Sequence, residues 1–102
     1  MLFVVTWRNR SGASAGDNEA ATARVLEVFA KWTPPSDLMF HQFLGRLDAT
    51  GGFAVVETAN PDALADAPAK FGSYFDFEIV PVNTVTETTR LLAEGVEFRK
   101  SA

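Results

Sequence analysis

Two runs in this chain are almost wholly apolar: Leu2 to Trp7 (LFVVTW), in which only Thr6 is polar, and Phe53 to Val56 (FAVV). Both are rich in β-branched and aromatic residues, and such runs mark strands. A strand that buries one face alternates apolar and polar side chains, because successive residues point to opposite sides. Neither run alternates. The chain must therefore build a sheet with apolar groups on both faces, and something must cover each of them.

The segments between and after these runs fill in the order of elements. Arg8 to Gly16 is polar, holds two glycines and reads as a long loop. Asp17 is expected to cap a first helix. Val25, Val28, Phe29 and Trp32 form its apolar stripe, and Pro34-Pro35 stops it. Leu38 to Leu47 reads as a second strand, Asp48 to Gly52 as a turn, and Phe53 to Thr58 as a third strand, so the pair makes a hairpin. Asn60-Pro61-Asp62 carries the signals of a helix start, namely a cap, a proline at the first helical position and an acid in the first turn. Pro68 and Gly72 are expected to disturb that second helix. Tyr74 to Val82 reads as a fourth strand, with Pro81 a restriction on its pairing. Thr84 to Glu87 matches a capping box, and Leu91, Leu92, Val96 and Phe98 suggest a C-terminal helix that frays from Lys100.

This β-α-β-β-α-β order predicts a single α+β domain over residues 1–102. It is a ferredoxin-like antiparallel sheet with both crossover helices on one face and an extra helix at the end. The second apolar face is expected to pack on another copy, giving a homodimer through the sheet face, a dimeric α+β barrel.

Composition narrows the function classes. Nine Lys and Arg against thirteen Asp and Glu give a net charge of −4, and the basic residues are scattered, so no stripe exists to neutralise phosphates and nucleic acid is not expected as a partner. The chain has no cysteine, which excludes thiol nucleophiles and Cys-type metal sites. Its apolar runs are far too short for a membrane span or a signal h-region, so a cytoplasmic protein without membrane contact is expected.

The stretch Gly45-Arg46, then Gly52 to Thr58 (GFAVVET), then Asn60-Pro61 with Ala63-Leu64, then Phe75 to Val82 (FDFEIVPV) resembles the bacterial domain of unknown function 3303 family. Val5-Thr6-Trp7 is similar to that family's first strand. The resemblance implies a small dimeric α+β barrel protein and supplies no reaction. Leu47 and Asp48 stand where family members often carry an aromatic residue and a histidine.

His41 is the only histidine and a candidate proton shuttle. Glu57 and Glu78 sit in apolar strands, where a carboxylate inside a pocket would suit proton abstraction. These three are the candidate catalytic residues. Phe3, Trp7, Phe53 and Tyr74 are candidate ligand-binding residues, as members of an aromatic set that also holds Phe40, Phe43, Phe75 and Phe77. Arg46 is a further candidate, as a cation for a carboxylate. One histidine with scattered acids matches no metal-ligand spacing, and no phosphate loop or nucleophile elbow is present, so neither metal nor cofactor is expected. Three readings stay open: a cofactor-independent enzyme acting on an apolar or aromatic metabolite, a non-catalytic binding or sensing module, and a structural assembly unit.

Overall fold

A computed structural model describes residues 1–10 and 14–101; Ser11, Gly12 and Ala13 of the first loop lie outside the described residues. The elements follow the order β1 (Leu2–Asn9), α1 (Ala15–Lys31), β2 (Met39–Gly45), β3 (Gly51–Glu57), α2 (Pro61–Phe71), β4 (Phe75–Val82) and α3 (Val85–Ser101). The four strands form one antiparallel sheet in the order β2-β3-β1-β4, which is the ferredoxin-like arrangement. Strand β4 lies at an edge, and this is why Pro81 is tolerated there without a backbone donor.

The cross-strand register assigns each side chain to a face. Phe3, Val5 and Trp7 of β1 stand opposite Val56, Ala54 and Gly52 of β3 and opposite Pro81, Ile79 and Phe77 of β4. This is the face that α1 and α2 cover, and Ala54 and Val56 are buried in it together with Ala63 and Phe71 of α2. The alternate residues, Leu2, Val4 and Thr6, share the other face with Glu57, Val55 and Phe53 and with Val82, Val80 and Glu78. That second face is apolar and bare: Met39, Leu44, Phe53 and Val80 all remain exposed on it.

Local signals hold with some corrections. Helix α1 is capped by Ser14, whose Oγ accepts from the Asp17 backbone N–H at 3.1 Å, so Asp17 is a first-turn acid rather than the cap. Asn60 caps α2 as expected, accepting from Asp62 N–H at 3.1 Å with Pro61 at the helix start. Pro68 does not end α2; the helix runs one more turn to Phe71. At α3 only half of the capping box forms. Thr84 Oγ1 accepts from the Glu87 N–H at 3.1 Å, but the Glu87 side chain is taken by Arg90. Helix α3 continues to Ser101, past the point where fraying is expected.

The β2–β3 connection is held by Asp48. Its two oxygens accept from Arg46 at 3.0 and 2.7 Å, and Oδ1 also accepts from the Thr50 N–H and hydroxyl. Arg46, followed by Thr50, therefore holds the Asp48 carboxyl far below the usual carboxylate range. Ala49 takes a left-handed conformation (φ 61°), which costs an L-residue about 1 kcal/mol or more. Gly51 lies so close to β1 that a Cβ there would sit 2.0 Å from the Trp7 carbonyl oxygen. A second tie joins the helices: the Trp32 indole N–H donates to Asp66 Oδ2 at 2.9 Å, and Lys70 Nζ lies 2.7 Å from Asp66 Oδ1. Burial pushes the Asp66 carboxyl up, but the bonds from Lys70 and Trp32 outweigh it and leave its pKa lowered.

The molecule is long. It measures 63 × 31 × 21 Å, with a radius of gyration of 18.0 Å, where a compact chain of this length has about 13 Å. Its accessible surface is 7394 Å², against about 5,700 Å² for an ordinary monomer of this mass.

Two outcomes follow for stability. Ala49→Gly should stabilise the protein by up to about 1 kcal/mol, whereas Gly51→Ala should cost about 2 kcal/mol or more because backbone meets the new Cβ; urea midpoints compare the two. Asp66→Ala should lose about 1–2 kcal/mol at neutral pH by orphaning the Trp32 N–H. A lowered pKa in the folded state gives stability that is complete above the unfolded-state value of 3.8 and is lost as the pH falls below it. The gap between wild type and variant should thus narrow in acid, as followed by tryptophan fluorescence during urea unfolding.

Candidate functional site

Between the sheet and the two crossover helices lies a cavity of about 220 Å³. Its floor is the inner face of the sheet, with Val5 and Trp7 from β1 and Ala54 and Val56 from β3. Its roof is the stripe Val25, Phe29 and Trp32 of α1, with Ala63, Ala67 and Phe71 of α2. These positions point the same way because helical residues three and four apart share a face while strand residues two apart share a face.

Aromatic residues make up half of the lining and touch one another in sequence. Phe40 stacks on Phe43 with centroids 5.1 Å apart, and Phe43 meets Trp7 edge-on at 5.5 Å and Phe29 at 6.3 Å. Phe29 lies 6.4 Å from Phe71, which meets Trp32 edge-on at 5.4 Å and leads to Phe75 at 6.3 Å. Such pairs add about 0.5–1.5 kcal/mol each beyond their buried area, so ring contacts hold the wall together without a ligand. Gly52 makes room for it. A Cβ on Gly52 would fall 2.4 Å from Trp7 Cζ2, so the indole occupies the space a side chain there would fill. Phe29 and Phe43 stay about half exposed and mark the rim.

No lining residue carries a carboxyl, imidazole, ammonium or guanidinium group. The polar groups of the lining side chains are the indole N–H groups of Trp7 and Trp32, and that of Trp32 is committed to Asp66. An apolar hollow of about 150 Å³ stays dry and accepts benzene; this one is half as large again, the scale of a fused two-ring aromatic.

The candidate residues divide between the two faces. Of those named as catalytic or ligand-binding, Trp7 lines the cavity. Phe3 points to the same side of β1 but lies beyond the lining, opposite Val56 and Pro81. Phe53 is on the bare face, opposite Thr6 and Leu44. Tyr74 precedes β4, with its phenol beside Arg24, whose pKa is raised by Glu27 first and Tyr74 next. Arg46 is spent on Asp48 in the hairpin.

His41 and Glu57 come together. The β2–β3 register slips between Phe40 and Gln42, and His41 is the extra residue of that bulge. Its Nε2 lies 2.9 Å from Glu57 Oε1, so the tautomer protonated there donates to the carboxylate. Glu57 belongs to the bare face, so the pair lies across the sheet from the cavity. Glu78 shares that face but not the location. It stands opposite Thr6 while Glu57 stands opposite Leu2, four residues or about 13 Å along the strand. The three candidate acid–base groups form one pair and one distant acid.

Phe29 and Trp32 were legible as a helix stripe but not as cavity wall, and Phe71 was not singled out; its position one residue before Gly72 at the end of α2 is the signal that could have found it. Among the described residues no three His, Asp or Glu side chains gather as metal ligands do, and no helix is long and apolar enough to cross a membrane.

No curated protein matches the chain. One family model does, over residues 1–96, a span that contains every residue lining the cavity: the chain belongs to the domain of unknown function family DUF3303.

Proposed function

We propose that this protein binds a small apolar ligand of aromatic character in the cavity between sheet and helices, and that it does so as a homodimer joined through the bare sheet face, a dimeric α+β barrel. The observation that carries the first half is the lining: a pre-formed hollow walled by touching aromatic rings, with no charged group in it. Binding sites for small molecules are concave and mostly apolar with a few orienting polar groups, and this one fits, with the Trp7 indole N–H as its candidate orienting group. With so little polar surface the site selects mainly by shape and size. The second half rests on the exposed Met39, Leu44, Phe53 and Val80 on one continuous face. Monomeric proteins rarely leave so many large apolar groups together in water.

A catalytic reading has one observation in its favour, the His41–Glu57 pair at 2.9 Å. A carboxylate that orients an imidazole is a common arrangement for a general base. In this protein such chemistry would act on a substrate held at the bare face, between subunits, and not on the cavity's occupant. Binding without turnover is the reading that the cavity itself favours.

Indole or naphthalene should raise the thermal midpoint by several degrees at saturating concentration. Ala67→Phe, which fills the hollow from α2, should weaken that binding at least about tenfold, while His41→Ala and Glu57→Gln should leave it unchanged. Calorimetry on the three variants decides: loss of binding in His41→Ala with Ala67→Phe unaffected would move the ligand to the other face and sink the proposal. For the dimer, Val80→Glu should shift the mass found by light scattering from twice the 11.1 kDa chain toward once.

A further inference from the structure

Helix α3 has no partner within its own protomer. None of its residues is buried, and Val85, Leu91, Leu92, Val96 and Phe98 are all exposed. Among the described residues, its hydrogen bonds and ion pairs stay within the helix and the Thr84 cap that precedes it. Yet it is amphipathic. Val85, Leu92 and Val96 follow at seven and four residues and share one side, while Glu87, Arg90 and Glu94 pair on the other, with Leu91 and Phe98 next to Glu87 round the helix.

A helix in this position cannot stand alone. Seventeen residues make about 25 Å of helix, only a little beyond the roughly 12–15 residues below which even alanine-rich helices are marginal in water. This one also carries four β-branched residues in its first five and Gly95 in its interior, each of which lowers helix propensity. Its stability must come from packing that its own protomer does not provide.

We propose that α3 is an exchanged arm: it leaves its own sheet and lays the Val85–Leu92–Val96 face on the second copy of the chain. The partner's identity rests on the homodimer reading above; the exchange goes beyond it. Three features select a second copy over other occupants. The protomer exposes roughly 1,700 Å² more than an ordinary monomer of its mass, which is the amount per subunit that an obligate dimer buries. The bare sheet face and the Val85–Leu92–Val96 side of α3 follow one another directly in the chain, β4 ending at Val82 and α3 starting at Val85. A twofold axis covers both at once, because each subunit then presents and receives the same surface. Finally, the charges of α3 balance, with Glu87, Glu94 and Glu97 against Arg90, Arg99 and Lys100. A helix that lies on an anionic membrane carries a basic excess on its polar side, and this one has none.

The test uses the full chain in two measurements. In a one-to-one mixture of isotope-labelled and unlabelled protein, isotope-filtered NMR should show contacts from the Leu92 and Val96 methyls to the other chain. Leu92→Glu with Val96→Glu should weaken dimerisation at least about 100-fold by light scattering, with the amide fingerprint of β1 to β4 retained. Thr86→Glu, on the polar side, should leave it unchanged. A dimer whose α3 methyls contact only their own chain, or whose mass ignores the double variant while Val80→Glu breaks it, overturns the arm and spares the sheet-face dimer. A wild-type monomer overturns both. Ligand binding in the cavity is read separately and stands or falls by the Ala67→Phe variant.

Discussion

Strand β1 is hydrogen-bonded along both edges, to β3 on one side and β4 on the other, and the rest of the molecule is arranged around that fact. Being central, it has no edge to expose to water, so its residues are distributed by pleat alone: Phe3, Val5 and Trp7 to the helices, Leu2, Val4 and Thr6 to the other side. A shift of one residue in its register would exchange the two sets. The chain guards against this slip with glycine. Gly51 and Gly52 stand opposite Arg8 and Trp7, where a side chain on either would strike the Trp7 carbonyl or its ring. The register that seats the indole is therefore the register that puts Ala54 and Val56 under the helices. Cavity floor and fold are set by the same contact.

Order of elements, helix starts and the hairpin are legible in the sequence because their signals are local. Asn60-Pro61 fixes the start of α2 by capping chemistry, and Pro34-Pro35 lies just beyond the end of α1, at Lys31. What was not legible is which face each apolar strand residue takes. When both faces are apolar, alternation carries no information, so Phe53 reads as well for the cavity as Trp7 does, although the two stand on opposite sides. The bulge at His41 is also unannounced: no glycine or proline marks it, and without it the imidazole could not be assigned beside Glu57. Arg46 illustrates a third limit. Its partner is two residues away, and a short-range ion pair consumed a group that reads as a candidate ligand-binding cation.

The thin core explains why the apolar faces matter energetically. Among the described residues, Ala54, Val56, Ala63 and Phe71 are the buried apolar groups, and two of these are alanines. At about 25 cal/mol per Å², so little burial gives a domain of this size little margin against chain entropy. The aromatic wall contributes, but a cavity forfeits contacts that a filled core would make. A ligand in the hollow and a second copy on the bare face would each restore part of that missing burial, so binding and assembly would act in the same direction on stability.

The separation of the His41–Glu57 pair from the cavity bears on how a site of this kind could acquire chemistry. Acid and base groups are costly in a dry apolar hollow, where an unpaired charge has no solvent and no partner. The bare face is different: His41 and Glu57 are half exposed there and paired with each other. In the proposed dimer the two copies of this face meet, and each pair would be carried from water into an interface, held by its own mutual bond and by whatever polar group lies across the twofold axis. An ion pair in that position adds little affinity, because desolvation offsets attraction. It does fix how the two sheets can register, since any arrangement that buried Glu57 without His41 would leave a lone carboxylate. The sheet thus has one face suited to holding an apolar molecule and one on which a polar pair can act as a key between subunits, and the same β1 pleat produces both.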